Sequence, residues 1–104
     1  MKTRILILAA VAALGMSLDA LAADAKAGAA KAGPCAGCHG QNGISSNPLW
    51  PNLAGQPAAY LAKTMRDYRS GQRDDPMMSS IAERLTDAEI EDLAAYYASL
   101  PPGG

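Results

Sequence analysis

Histidine occurs once and cysteine twice in this 104-residue chain. These counts exclude a great deal. A structural zinc site takes four protein ligands, commonly as two pairs. Cys35, Cys38 and His39 leave such a site one short unless a carboxylate completes it. A disulfide between residues three positions apart closes too small a loop to stabilise a domain through chain entropy. Basic residues are scarce as well, nine Lys/Arg against ten Asp/Glu. They form neither a basic patch for nucleic acid nor a polybasic cluster for a membrane surface. No segment reads as a convincing strand, and no internal repeat or low-complexity linker is visible.

What is present begins with MKTRILILAAVAALGMSLDALAAD. Lys2 and Arg4 precede a stretch from Ile5 to Leu18 that is apolar or small, and Ala20-Leu21-Ala22 offers small residues for a signal peptidase. The run is too short to span a bilayer. The expectation is a secretory signal over 1–22, cleaved after Ala22 or, alternatively, Ala23, and a periplasmic destination. The remainder, 23–104, is one small domain with a slight acidic excess. A chain of that size buries a modest core and often needs a staple, metal or cofactor.

Four segments of the domain read as helix. The first runs from Asp24 to about Ala32, rich in alanine, with Gly33-Pro34 just past its end. Its small side chains allow close approach of another helix. Residues 40–56 are full of Gly, Pro, Asn and Ser and read as an irregular loop. A second helix is expected over about Pro57 to Ser70. There Leu61, Met65 and Tyr68 share a face, and Gly71 is a natural stop. After the polar loop QRDDPMM comes a short helix around Ser79 to Arg84. The last helix opens on Thr86 with Glu89 three positions on, the capping-box pattern. Ile90, Leu93, Ala94, Tyr97 and Leu100 form its apolar stripe before Pro101-Pro102 ends it. The fold class is all-α, and loops this long in so small a domain call for a bulky group to organise them.

The segment PCAGCHG, residues 34–40, gathers both cysteines and the histidine. A thiol–disulfide oxidoreductase would place C-x-x-C on a βαβ scaffold, which the sequence does not offer. C-x-x-C-H is the attachment signature of c-type haem. Cysteines three residues apart in a helical turn match the two vinyl groups, forming thioethers, and the next residue then directs its imidazole at the iron. The reading is one covalent haem c, with Cys35 and Cys38 as thioether positions and His39 as an iron ligand.

A sixth ligand cannot be a second histidine. Methionine is the usual alternative and raises the reduction potential. Met65 sits on an amphipathic helix and reads as core filler. Met77 and Met78 lie at a loop–helix junction. Met78 shares a face with Ile81, Ala82 and Leu85, whereas Met77 shares its face with Ile81 and the charged Arg84. Met78 is the expected ligand and Met77 the alternative.

Taken together, KAGPCAGCHGQNG, PNLAGQPAAYL, YRSGQR and MSSIAERLTDAEIEDLAAYYASL resemble the class I c-type cytochromes, in particular the small bacterial cytochromes c, some of whose relatives carry two such domains in tandem. The resemblance implies about four helices wrapped around a haem, with the first helix crossing the last near Leu93, Tyr96 and Tyr97. It implies a ligand methionine at the interval Met78 has before Leu85-Thr86-Asp87. It also implies a proline carbonyl that orients the ligand histidine, Pro51 or alternatively Pro48. Trp50, Leu53, Tyr60 and Leu61 are candidates for the haem wall or for general core. Arg69 and Arg73 are candidates for pairing with propionates or are ordinary surface charges.

The functional expectation is a periplasmic carrier of one electron between respiratory redox proteins, monomeric, and without substrate chemistry of its own. The rivals are an open-iron haem protein that binds peroxide or a gas, and a fixed haem subunit of a larger oxidoreductase complex.

Overall fold

The computed structural model describes residues 23–103. The secretory signal expected over 1–22 lies outside the described residues. Five helices follow one another: α1 Ala25–Lys31, α2 Gly33–His39, α3 Ala58–Ser70, α4 Pro76–Ala82 and α5 Asp87–Ser99.

One more helix is present than the sequence suggested. Gly33-Pro34 was expected to lie past the end of a helix, yet it begins α2. Proline lacks an amide hydrogen and is tolerated in a first helical turn, where that hydrogen has no partner. Ala32 joins the two helices with φ −78° and ψ −4°. Asp24 starts α1, accepting from the amides of Lys26 at 2.9 Å and Ala27 at 3.3 Å.

The first and last helices cross at Gly28. A Cβ placed there would lie 2.0 Å from the carbonyl oxygen of Asp92 and 2.9 Å from Cβ of Tyr96. Glycine therefore lets the two backbones approach closely. The crossing is tied at both ends, by the Asp24 amide donating to Asp92 Oδ1 at 2.8 Å and by Lys31 against Glu89 at 3.1 Å.

The stripe read from the sequence is the core side of α5. Ile90, Leu93, Ala94 and Tyr97 are buried, together with Ala32, Leu61 and Ala62. Met65 packs against this cluster, as a core filler should. Helix α5 carries the full capping box: Glu89 N–H donates to Thr86 Oγ1 at 3.1 Å and Thr86 N–H to Glu89 Oε1 at 3.0 Å. Two arginines of α3 fasten it to the start of α5, Arg66 to Glu91 and Arg69 to Asp87, each at 2.6 Å.

Helix α3 ends where expected, at Gly71, whose φ of 87° suits glycine alone. Helix α4 starts three residues before the expected Ser79. Asp75 caps it and Pro76 takes its first position. This cap-and-proline pair is a helix start that the polar run QRDDP conceals.

Candidate functional site

A cavity of about 200 Å³ opens between four segments of the chain. Helix α2 contributes Pro34, Cys35, Cys38 and His39, and the following loop contributes Leu49, Trp50, Pro51 and Leu53. Helix α3 adds Thr64 and Tyr68. Asp75, Met77, Met78 and Ile81 close the side formed by α4. All four candidate site residues and the alternative Met77 therefore line one cleft.

His39 is buried, and its ring is held by the loop. Nδ1 lies 2.8 Å from the carbonyl oxygen of Pro51. A carbonyl can only accept, so Nδ1 donates, and in the neutral ring Nε2 then keeps its lone pair. A ligand histidine is oriented in this way. Of the two prolines considered, Pro51 makes the contact.

The loop bearing Pro51 is itself held. It folds back at Gly43, whose carbonyl accepts the amides of Leu53 at 2.8 Å and Ala54 at 3.1 Å. The positive φ of Gly43, 73°, permits that turn. Ser45 donates its amide to Asn52 Oδ1 at 2.7 Å and its hydroxyl to the Cys38 carbonyl at 3.2 Å. The loop and the cysteine helix are thus bonded to each other directly.

Cys35 and Cys38 are free and half-buried. Burial pushes the Cys35 thiol above its ordinary value, despite the opposing influence of the Tyr97 hydroxyl beside it. Burial, and then Cys35 beside it, likewise raises Tyr97. A thiol–disulfide exchange centre needs the reverse, a first cysteine with a lowered pKa. Nor, among the described residues, do any three of His, Cys, Asp and Glu converge to hold a bare metal ion.

The donor set fits a covalently attached haem. Two thiols project from one turn of helix, the adjoining imidazole has its Nε2 free, a thioether lines the same cleft, and most of the remaining lining is apolar. Met77 and Met78 differ in exposure, Met77 being 53% exposed and Met78 half-buried.

The structure divides the supporting residues between the roles the sequence left open. Trp50 and Leu53 line the cleft. Leu61 is instead buried in the core behind α3, and Tyr60 points outward. Arg69 is committed to the carbonyl of Leu85 at 3.1 Å and to Asp87. Arg73 lies over the Tyr68 ring at 4.6 Å. Sequence reading missed Thr64 and Tyr68, whose separation of one helical turn places both on one face of α3. It also missed Asp75, whose position before a proline is a capping signal.

Residues 23–101 match the family described as Cytochrome c. Cytochrome c-554(548) of Halomonas halodenitrificans is 46% identical over 81 residues, which cover 75% of this chain and 98% of that protein. Cytochrome c4 of Thiocapsa roseopersicina is 48% identical over 79 residues, 75% of this chain but 41% of the relative. Among solved structures, reduced recombinant cytochrome c4 from Pseudomonas stutzeri superposes with a TM-score of 0.73 at 37% identity, covering 77% of this chain and 47% of that one. The chain therefore spans nearly all of the first relative and less than half of the cytochromes c4.

Proposed function

The chain belongs to the cytochrome c family and is a haem c electron-transfer protein, and from that premise we propose that it shuttles single electrons in the periplasm with its iron held between His39 and Met78. The hydrogen bond from His39 Nδ1 to the Pro51 carbonyl carries this reading, because it fixes the tautomer that leaves Nε2 as a ligand. Bound haem supplies an iron that alternates between ferric and ferrous by one electron.

The protein's residues do the rest. Cys35 and Cys38 tether the group by thioethers, so a diffusing carrier cannot lose it. Met78 offers a soft thioether, which favours the ferrous state and raises the potential. Leu53 and Ile81 put apolar surface on the cleft wall, which would lower the dielectric around the charge that changes. His39 and Met78 would both hold the iron, so little would have to move when an electron arrives. Segment 1–22 acts as the export signal, and 23–104 is the working domain.

Leu49 and Trp50, 83% and 38% exposed, and Met77 form an apolar rim at the mouth of the cleft. Partners are other redox proteins, met there through small and transient interfaces. No helix among the described residues is long and apolar enough to cross a membrane.

The test is an optical spectrum of protein co-expressed with haem-maturation factors. A low-spin c-type spectrum in both oxidation states, with the weak ferric methionine–iron band, supports the carrier. That band should vanish in Met78→Ala and survive in Met77→Ala. A high-spin spectrum that shifts on adding carbon monoxide or peroxide would transfer the assignment to an open-iron protein.

A further inference from the structure

We propose that Asp75 is a positioning residue for the axial thioether: its carboxylate holds the first turn of α4 in the register that aims Met78 into the cleft. The inference rests on the assignment of Met78 as ligand.

Helix α4 has seven residues, too few to persist by its own propensity. The amides of its first turn have no partner within the helix. Asp75 Oδ2 accepts two of them, Met77 N–H at 3.0 Å and Met78 N–H at 2.8 Å. The shorter bond belongs to the proposed ligand. Residue 75 is itself pinned in return. Its amide donates to Ser79 Oγ at 3.1 Å, and its carbonyl accepts the Ser79 amide at 2.9 Å. Pro76 fixes φ between them.

Two features link this cap to the site rather than to stability alone. Asp75 lines the same cleft as Met78. A helical side chain also leans back towards the N-terminus, over the preceding turn. The thioether of Met78 therefore lies towards Asp75, and any fraying of that turn moves the sulfur first. In Asp75→Ala the iron–sulfur bond must hold down the turn as well as the iron. An external ligand then competes better.

Imidazole titration of the ferric, haem-loaded protein reads this directly. Loss of a cap of ordinary strength should raise imidazole affinity about fivefold in Asp75→Ala and weaken the methionine–iron band. Asp75→Asn keeps an oxygen that accepts both amides and should restore wild-type affinity. Thr86→Ala removes the cap of α5, which bears no candidate ligand. It should lower the urea midpoint and leave imidazole affinity unchanged. Wild-type affinity in Asp75→Ala, or an equal rise in Thr86→Ala, would overturn the inference. So would an Asp75→Asn that behaves as Asp75→Ala. If Met78→Ala retains the band, the ligand assignment falls and the inference with it. If Met78→Ala loses the band while Asp75→Ala binds imidazole like wild type, the inference falls alone.

Discussion

Replacing Gly28 with alanine should separate the first and last helices. The added methyl carbon would sit 2.0 Å from the Asp92 carbonyl oxygen and 2.6 Å from its carbon. Unstrained carbon–oxygen contacts begin near about 3.3 Å. Both clashing atoms are backbone, so no rotamer change relieves them, and the helices must part by about 1 Å to restore that spacing. A gap of that size forfeits roughly a quarter to a half of the dispersion well between facing atoms. Behind the crossing lie Ile90 and Leu93, fully buried, each stabilising the fold by about 1.5–3 kcal/mol. The loss on this account is about 1–3 kcal/mol, the usual range for overpacking. The hydrogen bond from the Asp24 amide to Asp92 loosens with it, at about 1 kcal/mol. Alanine's better helix propensity returns about 1 kcal/mol. The net is a destabilisation of about 2 kcal/mol, or about 8–16 °C in Tm for a domain of this size. Urea unfolding of the haem-loaded protein, followed by far-ultraviolet circular dichroism, measures it. Gly37→Ala is the control, since a Cβ there meets nothing within 4 Å, and it should be neutral or gain up to about 1 kcal/mol. A Gly28→Ala protein as stable as Gly37→Ala would refute the close-packing argument.

Other expectations follow from the same geometry. Leu93→Ala removes a side chain 1% exposed at the centre of the core and should cost about 2–5 kcal/mol in the same urea assay. The Arg69 guanidinium bonded to Asp87 holds that carboxyl below the usual range, and the Thr86 amide followed by Lys31 does so for Glu89. The unfolded chain therefore takes up these protons first as pH falls. Stability present above about pH 4, the unfolded carboxylate value, is lost as pH descends through the lower folded values. Asp87→Asn should flatten that acid limb, and added salt should shrink the difference. Asn52→Ala removes the acceptor of the Ser45 amide and should cost about 1 kcal/mol. Its methionine–iron band should stay, because Gly43 still anchors the loop through Leu53 and Ala54.

The chemistry was legible before the fold because it lies within five consecutive residues. Cys35, Cys38 and His39 need a single turn of helix to become neighbours, and the spacing states that. The capping box at Thr86 and the stop at Gly71 are equally local. Legibility failed where one signal carries two meanings. Gly33-Pro34 stops α1 and starts α2, and the proline of QRDDP, taken as a loop residue, opens α4. It failed again where partners come from distant segments. Periodicity assigns Leu61 to an apolar face but cannot say whether that face meets the core or the cleft. Nothing near Arg69 in sequence announces Asp87, eighteen positions away, as its partner. The choice between Pro48 and Pro51 likewise needed the turn at Gly43 to be seen.

The crossing of α1 and α5 joins residues 68 positions apart. A contact of such long sequence separation must offset the entropy of closing a large loop. Cys35 packs against the core cluster that includes Tyr97 of α5. The helix that closes the domain therefore also shields one of the two cysteines, so a variant that loosens α5 should leave Cys35 more exposed.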